Sequence, residues 1–208
     1  MVLGFEIEHI TVLYSIIFSA ALLPQIIMNY LNKSAKGVSR SMVFLAVASN
    51  NLYMIYAFFM GLPLLDKVSL PFRLLMLMIV MLQGFYSETD TDVRNQIMTS
   101  YVLWFVFVFS LFGLGHFYPY RVGNFAGWFC MGIRFVYQIP QVMKNYQRKS
   151  VAGLSFAYLS LNGLGSSLEL VAAMLLGMPT QSWLGAIRGL VMYGIFCGQF
   201  VLYKGWKS

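Results

Sequence analysis

One carboxylate and two guanidiniums fall where hydrocarbon is expected. Glu169, Arg134 and Arg188 each lie inside long apolar runs, and an ionisable group within a bilayer costs several kcal/mol or recruits water. Residues four and seven apart share one helical face, so Asn162, Ser166 and Glu169 form a polar stripe. Gly163 and Gly165 beside it permit close approach of a neighbouring helix. The chemistry open to this set is recognition of a polar solute. A carboxylate would meet Arg134 or Arg188, and an ammonium group or a proton would meet Glu169. Two arginines against one glutamate leave one positive charge for an anionic group. The plainer alternative is an Arg–Glu pair that neutralises itself and only locks helices together.

A second polar set precedes the first by 116 positions: Asn50 and Tyr53 match Ser166 and Glu169, and Gln83 matches Gln199. Asn50 and Tyr53 could hydrogen-bond a solute from the opposite side, and the glutamines could equally join helix to helix. Enzyme chemistry finds no support. The sequence holds no His-Glu-x-x-His, no Gly-x-Ser-x-Gly, no phosphate-cradling glycine loop and no paired carboxylates. Cys130, Cys197, His9 and His116 show no metal-ligand spacing and read as structural, so neither a metal nor a cofactor is expected. Trp104, Trp128, Trp183 and Trp206 read as packing or interfacial anchors.

The elements that must position these groups are transmembrane helices. Of 208 residues, 59% are hydrophobic and 10% charged, a balance that excludes an ordinary soluble domain. The net charge of +7 comes from cations in short loops between apolar runs, which makes nucleic acid an improbable partner and the lipid bilayer the expected one. Seven runs are long enough to span: 7–31, 42–60, 70–86, 97–114, 122–146, 156–176 and 182–203. Gly61-Leu62-Pro63, the acidic stretch from Glu88 to Asp92, Phe117-Tyr118-Pro119 and Gly177-Met178-Pro179 supply the turns. Residues 24–63 match residues 140–179 without a gap at 13 positions, every pair 116 apart, which signals a duplicated unit. The expected fold is therefore all-α, with seven transmembrane helices as two parallel three-helix bundles joined by a linker helix. The bundles are residues 1–90 and 119–208, and the linker is 91–118.

With the N-terminus outside, Lys33, Lys36, Arg40, Arg94, Lys144, Arg148, Lys149, Lys204 and Lys207 lie at cytoplasmic ends. Lys67, Arg121 and Arg73 lie at outer ends. The positive-inside rule thus places the C-terminus and both Pro-Gln ends in the cytoplasm. Glu6 and Glu8 ahead of the first apolar run do not read as a cleavable signal.

The most heavily repeated string carries a Pro-Gln pair, Pro24-Gln25 and Pro140-Gln141. Proline lacks an amide hydrogen and crowds the preceding turn, so each helix should bend there and free the carbonyls of Ala20 and Val136. Gln25 and Gln141 could donate to those carbonyls, and a bend in each half would serve as a symmetric hinge.

Together with Asn29-Tyr30, Lys33-Ser34, Gly37 and Ser39, and their partners Asn145-Tyr146, Lys149-Ser150, Gly153 and Ser155, these pairs resemble the doubled motif of the PQ-loop family. The second copy is especially similar to the cystinosin branch. The resemblance implies two three-helix bundles with a linking fourth helix, in a family of small-solute carriers that move cystine and cationic amino acids and, more distantly, of SWEET sugar transporters. Receptor-like and assembly-factor members share the fold. The acidic residue that the cystinosin-like pattern uses for proton coupling, 22 positions after the motif proline, is here Asn162, with Ala46 in the first copy.

The expected function is an alternating-access carrier of a small polar metabolite, foremost an amino acid, a cationic one among the candidates. Glu169 is the proton-coupling candidate, a sugar is the alternative solute, and a non-transporting receptor or assembly factor is the alternative class. The sequence favours a bacterial inner membrane over a lysosomal or vacuolar one.

Overall fold

A computed structural model describes residues 2–62, 64–177 and 180–203. Pro63, Pro179, Lys204, Trp206 and Lys207, with the side chains of Glu6, Glu8 and His9, lie outside the described residues. Among the described residues, nine helical segments build seven spans. The first span is α1 (Val2–Ala20) and α2 (Leu23–Leu31), followed by α3 (Arg40–Phe59) and α4 (Leu64–Tyr86). The linker is α5 (Thr91–Phe117), and the second repeat is α6 (Pro119–Val136) with α7 (Ile139–Arg148), α8 (Phe156–Leu176) and α9 (Thr180–Leu202). Two helices run further than their apolar cores suggest, since α4 carries Asp66 and Lys67 in its first turn and α5 begins with polar turns. Asp90 makes the second possible by accepting from the Asp92 and Val93 amides.

Both Pro-Gln pairs break their helix outright. Pro24 and Pro140 stand in the first turn of α2 and α7, where a missing amide hydrogen costs nothing. The repeat extends to backbone detail. Lys33 and Lys149, 116 apart, both adopt φ 48 after their short helices, and Ser39 and Ser155 both cap the next helix by accepting from Met42 and Tyr158 amides.

Within each repeat the third helix stands between the first two: α4 packs on α1 and on α3, and α9 packs on α6 and on α8. Two long seams, α3 on α6 and α1 on α8, close the repeats into a six-helix ring. Glycines thin those seams. A side chain at Gly127 would strike the Tyr56 ring at 2.7 Å and one at Gly165 the Phe18 ring at 2.8 Å. Ala48, Leu52, Ile55, Ala126, Cys130 and Ile133 fill the first seam. Helix α5 stays outside the ring, packed on α3 and α6, and exposes Leu103, Val106 and Phe109. That outer surface suits hydrocarbon, since the backbone bonds of the helices are satisfied internally.

Among the described residues, five helices, α1–α2 taken as one, α3, α4, α5 and α9, are long and apolar enough to cross a membrane.

Candidate functional site

The ring encloses a cavity of about 120 Å³, lined by α1, α3, α4, α6, α8 and α9. Every solute-site candidate from the sequence lies on it: Asn50, Tyr53, Arg134, Asn162, Ser166, Glu169 and Arg188. Helical period explains the convergence of the α8 stripe, and the closed ring brings the α3, α6 and α9 groups opposite it.

Each arginine in the cavity lies over an aromatic face. Arg134 sits 4.3 Å from the centre of the Tyr53 ring and Arg188 4.9 Å from that of Tyr137. The third is Arg73, 4.5 Å over the Phe18 ring. Such contacts offset part of the cost of desolvating a guanidinium. Reading Arg73 as an outer-end cation is corrected here. It lies in the third turn of α4 and faces the cavity, because α4 begins at Leu64 rather than near residue 70. The repeat contained a usable signal: residue 189 is the match of Arg73, one position past Arg188.

Arg188 spans the break between α6 and α7, donating from Nη1 to the Arg134 carbonyl at 2.8 Å and to Gln138 Oε1 at 3.0 Å. Its Nε is buried with no acceptor among the described residues, as is the hydroxyl of Ser15 on the same cavity. Ser15 carried no sequence signal, since serine is common in membrane helices. Glu169 lies within electrostatic reach of Arg73 and Arg134. Three guanidiniums against one carboxylate leave the cavity two positive charges in excess, one more than Arg134 and Arg188 alone would leave. Asn162 spends its amide on the Tyr158 carbonyl at 2.9 Å, and Asn50 joins α3 to α4 through the Leu70 carbonyl at 3.3 Å. Ser166 is buried against Gly189, where a side chain would come within 2.1 Å of its hydroxyl.

The Pro-Gln glutamines do something other than the sequence suggested. They do not cap Ala20 and Val136 in their own helices; each reaches across to the opposite repeat. Gln25 donates to the Gly153 carbonyl at 2.9 Å and accepts from the Ser155 amide at 2.8 Å. Gln141 donates to the Gly37 carbonyl at 3.1 Å and accepts from the Ser39 amide at 2.5 Å. Asn29 and Asn145 hold the glutamines from one turn away at 2.8 Å, and are themselves held by Gln83 at 2.9 Å and Gln199 at 2.8 Å. Gln83 and Gln199 close each network on the carbonyls of Ile26 and Val142, so they join helices and stay away from the cavity. Gln25 and Gln141 are 2% and 0% exposed, so these amides form a dry lock with every polar arm engaged. At its centre the backbones of Gly37 and Gly153 touch, and a methyl on Gly37 would lie 2.3 Å from Gly153 Cα. The motif-loop end of the cavity is shut.

Cys130, His116, Trp104 and Trp128 do not line the cavity. Buried Cys130 donates to the Ser49 carbonyl at 3.2 Å. His116 stacks edge-on to Phe59 and Phe112. Trp104 packs against the first seam, and Trp128 is exposed on the outer surface.

Comparisons with known proteins agree with this architecture. The chain is 26% identical over 129 residues to the putative lipid scramblase CLPTM1 of Danio rerio, covering 57% of this chain and 20% of the relative. It is 27% identical over 137 residues to the lipid scramblase CLPTM1L of Bos taurus, covering 60% of this chain and 25% of the relative. The chain thus spans a quarter or less of these relatives. A eukaryotic SWEET transporter solved at 3.7 Å resolution superposes with a TM-score of 0.63 at 15% identity, covering 92% of this chain and 99% of that one, and so shares the fold. The family described as the PQ loop repeat matches twice, over residues 7–66 and 122–181, one match to each three-helix repeat. This chain is a multi-pass integral membrane protein that belongs to the PQ-loop repeat family.

Proposed function

We propose that the chain is an alternating-access carrier whose central cavity takes a small solute bearing an anionic group. The observation that carries this reading is the excess of Arg73, Arg134 and Arg188 over Glu169 in a cavity sealed at the motif-loop end. A buried excess of positive charge is costly unless an anion joins it, so a ligand carboxylate gains more here than a ligand ammonium. The charge balance therefore favours a zwitterionic or anionic amino acid over a cationic one. In this arrangement the α-carboxylate meets the guanidiniums, including the vacant donor at Arg188 Nε, and the ammonium meets Glu169. A neutral sugar would leave the charge unanswered. Exchange of the lock at the motif-loop end for a matching closure at the other end is the alternating step, with Pro24 and Pro140 at the hinges and the motif loops facing the cytoplasm. Among the described residues Glu169 is the one acid on the cavity available to couple a proton.

The names of the two relatives favour a second reading, movement of a lipid whose headgroup phosphate occupies the same arginines. Liposome flux separates the readings. Uptake of an amino acid lost in Arg73→Gln supports the first, and transbilayer movement of a labelled phospholipid lost in the same variant supports the second. Flux of neither, with retained ligand binding by thermal shift, identifies a receptor. Uptake insensitive to an imposed pH gradient removes the coupling role of Glu169.

A further inference from the structure

A second recess lies outside the ring. Because α5 packs on α3 and α6 while α4 packs on α1 and α3, the two helices leave a groove between them beside their short connection at residues 87–90. The resulting groove has a volume of about 900 Å³. Val80 and Met81 of α4 and Ile97 and Tyr101 of α5 form its walls, and Phe44 of α3 forms its floor. Gly84 leaves it unfilled, since a side chain there would meet nothing within 4 Å. Tyr101 lies ten residues into α5, so the groove runs about 15 Å inward from the helix start, the depth of one leaflet.

Its mouth is cationic. Lys36, Arg40, Lys144 and Arg148 stand around it, drawn from both repeats. Lys144 is fixed there by donating to the Lys36 and Val38 carbonyls at 2.7 and 2.8 Å, and Arg148 by donating to the Lys36 carbonyl at 3.3 Å. Glu88 pairs with Arg40 and cancels one of these charges. Asp90, at the same end, is engaged in capping α5, and Asp92 follows it in the first turn. Serines 39, 41 and 87 add small polar groups to the rim.

We propose that this groove is a binding site for an anionic phospholipid, with an acyl chain between α4 and α5 and the phosphate at the Lys36–Arg40–Lys144–Arg148 mouth. Apolar walls of leaflet depth beneath a basic rim match a lipid's own division into chain and head, and basic pockets between membrane helices recognise such headgroups. The site is separate from the central cavity, with which it shares no lining residue. Its rim includes the loop that the Gln141 lock holds, so an occupying lipid would rest on the gate.

The test uses Trp104, whose ring lies 6.2 Å from that of Phe44 on the groove floor. In the whole 208-residue chain with Trp128, Trp183 and Trp206 changed to Phe, quenching by brominated lipids in liposomes gives the affinity of phosphatidylglycerol relative to phosphatidylcholine. The expected preference is roughly five- to twenty-fold, what one or two cations in contact with the phosphate give at about five-fold each. It should fall to about one both in the double variant Lys36→Gln/Arg148→Gln and in Gly84→Phe, which fills the groove without touching a charge. Inorganic phosphate at millimolar concentration should leave it unchanged. A parent ratio of one, a preference kept in either variant, or its loss to inorganic phosphate would each overturn the proposal.

Discussion

Replacing Gly37 by alanine should open the motif-loop end of the cavity. The added methyl lies 2.3 to 2.5 Å from the Cα, C and O atoms of Gly153, where ordinary contact begins at 3.4 Å, and those atoms are backbone, which cannot swing aside. The loops must therefore part by about 1 Å, which overpacked interiors resist at roughly 1–3 kcal/mol. That separation would stretch the Gln25–Gly153 and Gln141–Gly37 hydrogen bonds, now 2.9 and 3.1 Å, out of range. Each buried group left unsatisfied costs about 1–3 kcal/mol more. All of this cost falls on the closed state, because only there do the glycines touch. A total of about 3 kcal/mol raises the open population roughly hundredfold. The assay is the modification rate of Ala21→Cys, a cavity position 1% exposed, by an impermeant maleimide added from the motif-loop side of proteoliposomes. Cys130 and Cys197 are first changed to serine. Gly113→Ala, where the new methyl meets nothing, is the control and should not alter the rate. A folded Gly37→Ala protein labelled no faster than its parent would refute the argument that the crossed loops are the barrier.

Other substitutions probe the cavity and its frame. Arg73→Gln should weaken binding of an anionic solute about 10- to 100-fold by calorimetry, the worth of a charged hydrogen bond of about 1.5–3 kcal/mol. Glu169→Gln should act with opposite sign on a purely anionic probe, tightening it several-fold, while weakening a zwitterion; equal effects on both would dismiss the charge-balance argument. Asn29→Leu and Asn145→Leu should each lower the melting temperature by comparable amounts, because each strips one glutamine pair of the same two bonds. At the α8–α9 contact, Gly189→Ala should destabilise by about 1–3 kcal/mol, and Ser166→Ala in the same chain should restore part of it by removing the hydroxyl 2.1 Å away.

What the sequence determined by itself is whatever follows from covalent period and local backbone chemistry. The 116-residue offset reveals two copies, apolar length reveals the spans, and proline without an amide hydrogen reveals where the first and fifth spans break. The Asn162–Ser166–Glu169 face was legible because helical geometry decides which residues share a side, and it does share the cavity. Tertiary structure alone decided the partners. A glutamine beside a broken helix has carbonyls of its own within reach, and only the crossing of Gly37 over Gly153 brings the opposite loop nearer than those. Arg73 looked like a boundary charge because hydropathy marks where a helix becomes apolar, not where it starts, and the helical turns from Leu64 onward ahead of it carried it into the ring. Period names the face of a helix, but which surface that face meets depends on how six helices close around one another, and no single stretch of chain encodes that.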